Sequence, residues 1–260
     1  MTRVFLEDDQ ISDDTAVIRG SDAHHLLVVL RMEVGDEFIA VDERGAEREA
    51  VIITANSDTL TAHLGPPRRS DTEPPVRIEV YHGLPRASRY ETSLRMCTEL
   101  GTAGFVPVLS ARSVIRLSGG AAERKRRRWT RIAEEAAKQC GRTTVPEVVA
   151  PLSWEEALSR FRASGASGIM PSAGLAGGDA PSLGERASEL ARDGSGSLAL
   201  FVGPESGFDL SEEAQARDAG ITLVTMGPRI LRTETAAVVA VAICLDRLGA
   251  MRAPRSSRKT

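Results

Sequence analysis

Met226-Gly-Pro-Arg-Ile-Leu-Arg-Thr-Glu-Thr235, followed by the ten apolar residues Ala236–Leu245, decides how the chain is read. Just upstream, Ile221-Thr-Leu-Val-Thr225 is short, β-branched and apolar, the mark of a buried strand. The apolar run stops at Asp246 and Arg247. It is half the roughly 20 residues a bilayer requires, so it reads as a buried helix. Thr233 or Thr235 is the expected N-cap, with Glu234 near the positive helix end. A helix apolar on every face needs cover all round, from its own sheet and another element or from a second subunit. Between strand and helix lies a loop with two arginines. It reads either as an ordinary connection or as a ligand-gripping loop at the C-terminal end of a parallel strand, where open α/β sheets bind ligands.

A second unit repeats the pattern. Leu198–Val202 is another apolar strand and runs into Gly203-Pro-Glu-Ser-Gly-Phe208; a polar helix is expected over 212–219, started by Ser211, Glu212 and Glu213. Glycine allows the backbone to approach a ligand that a side chain would keep away. The two strand–loop–helix units point to one composite pocket, with Gly203, Gly207 and Gly227 offering backbone and the two strands its apolar floor.

Composition sets the outer bounds. The 260 residues allow one or two domains, and 42% hydrophobic and 27% charged residues are ordinary for a soluble globular chain. The N-terminus lacks a signal-peptide apolar core and no run is long enough to span a membrane, so a cytoplasmic protein is expected. Cys97, Cys140 and Cys244 are widely spaced and odd in number, which suggests reduced thiols, and no metal site is expected. The net charge of −3 conceals an asymmetry: residues 1–73 carry 7 basic and 16 acidic groups, whereas 84–142 carry 13 basic and 5 acidic. An acidic whole therefore holds a basic segment able to face nucleic acid.

In chain order, short strand candidates at 4–6, 37–41, 49–54 and 59–64 separated by turn signals suggest a small β-barrel, with one helix over His24–Met32. Pro66-Pro67 to Pro74-Pro75 is a hinge, and the domain boundary is placed at 72/73. Beyond it come a strand at 76–81, a loop at 82–86, a helix from Tyr90 to Leu100 closed by Gly101, a strand at 105–109 and a helix from Arg124 to Cys140. The Gly/Ala/Ser-rich segment 165–197 reads as mobile loop with a strand remnant at Ile169-Met170 and a short helix at 183–192. Strand–helix alternation from 76 to 248 gives a layered α/β domain with a mostly parallel sheet, and the basic tail from about residue 252 is expected to be disordered.

Two further readings of the loops belong to other classes. A phosphate-handling nucleotide enzyme would use GPESG as an anion loop, but neither GK[ST] nor GxGxxG is present. A non-catalytic RNA-binding assembly factor would keep the fold without needing the loops intact.

GPESGF (203–208), MGPRILRTETA (226–236), HHLLVVLRMEVGD (24–36), TELG (98–101), SARSV (110–114) and EEAAKQCGR (134–142) together resemble the ribosomal RNA small subunit methyltransferase E family, of the SPOUT class. The resemblance implies a trefoil-knotted C-terminal domain behind a PUA-like RNA-binding barrel, and a homodimer. It implies an S-adenosyl-L-methionine-dependent enzyme that methylates N3 of one uridine in 16S ribosomal RNA, within the 30S subunit. The donor would lie on Leu200, Phe201, Gly203, Pro204, Glu205, Gly207, Met226, Gly227, Ile230, Leu231, Arg232 and Thr235. Ser206 and Met96 depart from the family's usual Gly and Lys.

Uridine N3 is a poor nucleophile until its proton leaves, so the site needs a base or a cation that stabilises the uridinate. Arg232 is the candidate cation, against a purely structural pairing with Glu234 or Glu205; the two carboxylates are candidate bases. Arg86, Arg89, Arg112 and Arg116, at strand ends on the side where the pocket opens, are expected to hold RNA phosphates. Arg126, Arg127 and Arg128 belong to the most basic run and are assigned the same role, against a solvated helix face.

Overall fold

The computed structural model describes residues 1–113, 120–175 and 180–251. Its contacts divide the chain into two units, Met1–Glu73 with Ala137–Thr144, and Pro74–Ala136 with the chain from Val145 onward.

The first unit is built on β1 (Arg3–Phe5), β2 (Ile11–Ser12), β3 (Thr15–Arg19), β4 (Glu37–Val41), β5 (Ala46–Ala55), β6 (Thr59–Leu64) and β7 (Arg68–Arg69). They form one sheet in the order β1-β4-β5-β6-β3-β2, with β7 on β5. Alternation along the strands turns Ala16, Ile18, Phe38, Ala40, Ala50, Ile52, Leu60, Ala62 and Leu64 inward, all buried. The helix expected at His24–Met32 instead starts at Gly20: α1 (Gly20–His24) widens into a π-helical turn, His25–Val29. The end of the proline-rich hinge is tied down within this unit. The Glu73 carboxylate accepts from the buried Arg142 guanidinium (2.7 Å) and from the Thr143 N–H (2.9 Å).

The second unit carries β8 (Arg77–Gly83), α2 (Ala87–Leu100), β9 (Gly104–Leu109), α3 (Ala121–Cys140), β10 (Glu147–Val148), β11 (Leu152–Ser153), α4 (Trp154–Ser164), β12 (Ser167–Pro171), α5 (Leu183–Arg192), β13 (Ser197–Val202), α6 (Leu210–Asp218), β14 (Thr222–Val224) and α7 (Thr233–Arg247). The last turn of α3 is grouped with the first unit. The sheet order is β10-β9-β8-β13-β12-β14, with β11 also on β9, and every pairing is parallel.

Such a sheet is buried on both faces, which is why β13 reads as an unbroken apolar run. Leu198, Leu200 and Val202 face one core with Ile78, Tyr90, Trp129, Val241 and Leu245. Ala199 and Phe201 face the other, where Phe201 stacks on Tyr81 (4.5 Å between centroids) and meets the edges of Trp154 and Phe161.

Several expectations are corrected here. The 165–197 segment holds a five-residue strand, β12, in the sheet interior between β13 and β14 rather than a remnant in a loop. Its small residues answer to packing: a Cβ on Gly168 would sit 2.7 Å from both Phe161 and Ile221. Helix α4 was passed over, although Ser153 and Glu156 form a reciprocal capping box at its start. Helix α6 is capped by Asp209, not started by Ser211, and the Glu212 backbone N–H bonded to Asp209 lowers that carboxyl's pKa. Residues 82–83 complete strand β8 instead of opening a loop. Arg232, not Thr233 or Thr235, occupies the N-cap position of α7. The tail from residue 252 lies outside the described residues.

Candidate active site

The C-terminal ends of β12, β13 and β14 lead into three loops that enclose a cavity of about 320 Å³. The 203–208 loop supplies Gly203, Pro204, Glu205, Ser206, Gly207 and Phe208. The 226–233 loop adds Met226, Gly227, Arg229, Ile230, Leu231 and Thr233, and the walls are completed by Pro171, Ser172, Glu213 and Ala236. A volume of this size suits a small-molecule ligand.

The glycines have different tasks. A Cβ on Gly203 would fall 2.8 Å from the Gly207 Cα and 3.0 Å from the Phe208 nitrogen, so Gly203 lets its own loop fold back on itself. Gly207 (φ 69°) and Gly227 (φ 92°) hold left-handed backbone with open space beside them. Gly83, at the end of β8, seats the loop from below, since a Cβ there would lie 2.5 Å from the Pro204 ring.

A buried relay ties this loop to its neighbours. The Thr233 hydroxyl donates to the Gly203 carbonyl (2.6 Å), and the His82 Nε2 lies 2.8 Å from the Thr233 hydroxyl oxygen. With the Thr233 proton committed, Nε2 is the donor, and burial keeps the ring neutral. Burial lowers the pKa of His82 to about 3, and its other nitrogen faces the Ser93 hydroxyl at 3.3 Å. On the far wall the Ser172 hydroxyl donates to Glu213 (2.6 Å).

Arginines stand around the same loop. Glu205 accepts from the Arg86 backbone N–H (3.1 Å) and pairs with Arg89 (3.4 Å), while Arg112 donates to the Ser206 carbonyl (2.8 Å). Arg116 lies outside the described residues.

Of the sequence-predicted donor residues, Gly203, Pro204, Glu205, Gly207, Met226, Gly227, Ile230 and Leu231 line the cavity together. Leu200 and Phe201 do not: both are fully buried in the two cores beneath it. Arg232 and Thr235 are exposed and are not among the lining residues. Among the described residues Arg232 forms no ion pair, and Glu205 pairs with Arg89 instead, so the structural pairing weighed for Arg232 is not seen. One carboxylate oxygen of Glu234 is buried without a hydrogen-bond partner. Arg126 is forked onto Glu123 and Arg128 onto Glu91, and none of the four is a lining residue.

Sequence reasoning missed Ser172, Glu213, Phe208 and Thr233 as lining residues, and His82 behind them. Thr233 carried a signal as a helix-start threonine and Phe208 as the last residue of the 203–208 loop; Ser172, Glu213 and His82 depend on where β12, α6 and β8 are placed.

A parallel sheet with a glycine-lined pocket at its strand ends and arginines against one of its loops defines an α/β ligand-binding domain, and the comparisons make the class specific. Residues 72–245 match the model of an RNA methyltransferase domain, and residues 18–64 that of an RNA methyltransferase PUA domain. Ribosomal RNA small subunit methyltransferase E of Bacillus subtilis is 32% identical over 244 residues, covering 93% of this chain and 94% of that protein. The protein of the same name from Mycobacterium bovis is 33% identical, over 87% of this chain and 84% of that one. A crystal structure of the Neisseria gonorrhoeae protein of that name, bound to S-adenosyl methionine, is 30% identical. It superposes with a TM-score of 0.83 over 95% of this chain and 97% of the other.

The chain belongs to the ribosomal RNA small subunit methyltransferase E family. It has the PUA-like first domain and parallel C-terminal sheet that its sequence implied. No helix among the described residues is long and apolar enough to cross a membrane, and no group of three His, Cys, Asp or Glu there is placed to hold a metal.

Proposed function

We propose that the cavity takes S-adenosyl-L-methionine and that the enzyme methylates N3 of one uridine of 16S ribosomal RNA, within the 30S subunit, acting as a cytoplasmic homodimer. The observation that carries this reading is the cavity itself: open-sided glycines and apolar residues within, and Arg86, Arg89 and Arg112 on the loop that forms its edge. The residues fit the donor. Gly207 and Gly227 leave backbone open to a ligand's polar edges, Met226, Ile230 and Leu231 offer apolar cover for a flat base, and Glu205 and Glu213 supply carboxylates for a cationic or hydroxyl-bearing part.

When bound, S-adenosyl-L-methionine supplies a methyl group activated on a sulfonium. Transfer from it is an in-line displacement, so the protein's contribution is mainly positioning. Arg232, one residue from the lining Leu231 and Thr233 and without an ion pair among the described residues, is assigned to the charge that develops on the uridine ring. Glu205 and Glu234 are the carboxylates available to take the N3 proton. Arg89 and Arg112 hold phosphates at the mouth, and Arg126–Arg128 add affinity on α3. The division of labour follows the domains, 1–72 for RNA shape and 73–260 for catalysis.

Two measurements test the reading. Mass-spectrometric mapping of ribosomal RNA from a deletion strain should lose one N3-methyluridine. In single-turnover methylation of 30S subunits, Arg232→Ala should lose about 100-fold or more in rate, on the scale of a removed charge stabiliser, with RNA affinity nearly intact. A normal rate would make Arg232 structural.

A further inference from the structure

His82 is a buried titratable group that the mechanism above leaves unused. His82 sits at the end of β8, fully enclosed, between the first turn of α2 and the first turn of α7. Its ring contacts are Tyr90, 5.5 Å away between centroids, and the Ser93 hydroxyl at 3.3 Å. A hydrophobic residue would pack there without any buried polar atom to satisfy. An imidazole placed 2.8 Å from the Thr233 oxygen, which in turn sits 2.6 Å from the Gly203 carbonyl, is therefore a specific connection.

The connection runs between the two halves of the pocket. Gly203 opens one loop and Thr233 closes the other, and both line the cavity. Among the described residues their hydroxyl–carbonyl bond is the one side-chain hydrogen bond between these loops. Thr233 has a single proton, and it is spent on Gly203, so a group facing the hydroxyl oxygen from behind must donate to its lone pair. His82 does that by donating from Nε2.

We propose that His82 is a positioning residue for the methyl-donor pocket: its Nε2–H orients the Thr233 hydroxyl, which holds the Gly203 loop against the 226–233 loop. This rests on the reading of the cavity as the donor site. The consequence is that loss of the imidazole loosens the pocket without removing any atom that touches the ligand. Such a change is felt in donor affinity and KM for the donor much more than in turnover at saturation.

The test uses the full chain and S-adenosyl-L-methionine in calorimetric titration, with steady-state methylation of 30S subunits alongside. His82→Leu should weaken donor binding about tenfold and raise the donor KM to match, while kcat stays within about threefold of wild type. His82→Gln, which keeps an N–H donor on a side chain of similar reach, should recover most of the loss. Thr233→Val removes the other end of the relay, and His82→Leu with Thr233→Val should cost little more than Thr233→Val alone, because the two act through one bond.

Wild-type affinity and KM in His82→Leu, or additive losses in the double variant, would overturn the proposal. If His82→Leu does not fold, His82→Gln paired with Thr233→Val and Thr233→Ser reads the same link: equal affinities across all three would overturn it. Wild-type protein that fails to bind the donor, or Gly227→Val that binds it normally, would instead overturn the pocket reading together with this one.

Discussion

Gly203→Ala is the sharpest perturbation the structure offers. The added Cβ would lie 2.8 Å from the Gly207 Cα and 3.0 Å from the Phe208 nitrogen, both backbone atoms, where ordinary contact begins at 3.4 Å. No side chain can swing aside, so the 203–208 loop must move outward by half an ångström or more. That motion pulls on the bond from Thr233 to the Gly203 carbonyl and on the seat of Pro204 over Gly83. Overpacking of this kind costs about 1–3 kcal/mol of stability. A displacement approaching 1 Å at a binding loop can cost on the order of 100-fold in rate. We expect donor affinity to fall by about tenfold to 100-fold, measured by calorimetry at a temperature where the variant is folded by circular dichroism. Gly196→Ala is the control, since nothing lies within 4 Å of its Cβ and its backbone is not left-handed. Wild-type donor binding by Gly203→Ala would refute the reasoning and place the donor away from this loop.

Three further outcomes follow from the same geometry. His82 has a pKa of about 3 when folded, against about 6.5 in an unfolded chain. Between those values the unfolded state binds the extra proton, so stability falls as the pH drops below 6.5; at pH 5 the loss is about 2 kcal/mol. Denaturant midpoints should show this fall in wild type and lose that part of it in His82→Gln. Neutralising Arg126, Arg127 and Arg128 together should reduce the slope of log K against log salt for RNA by about one unit, near the 0.9 of a single phosphate contact. The change is this small because Arg126 and Arg128 are already held by Glu123 and Glu91; a drop of three units would mean that RNA displaces both carboxylates. Val239→Glu, on the half-buried side of α7, should turn a dimer into monomer in sedimentation, and a monomeric wild type at micromolar concentration would remove the dimer from the proposal.

Much of the second domain could be read directly. A strand buried on both faces needs an unbroken apolar run, so Leu198–Val202 and Phe105–Leu109 announced themselves. Gly101, at φ 109°, ends α2 where the sequence placed its end, because only glycine takes that conformation without strain. The two Gly-Pro loops also lay next to their strands in sequence, and most of their residues line one cavity.

What tertiary structure alone decided concerns partners far apart in the chain. Ser167–Pro171 is rich in small residues and has little strand propensity of its own; it is a strand because β13 and β14 offer it hydrogen bonds on both edges. Leu200 and Phe201 sound like pocket residues from their position before Gly203, yet strand alternation sends them into opposite cores. Thr233 looked like a helix cap, and its hydroxyl is spent on Gly203, 30 residues away, while His82 reaches it across 151. Local pattern reports what a residue does for its own element. Which distant group completes a buried hydrogen bond depends on how the elements stack, because a buried polar atom takes whichever partner the packing brings within reach.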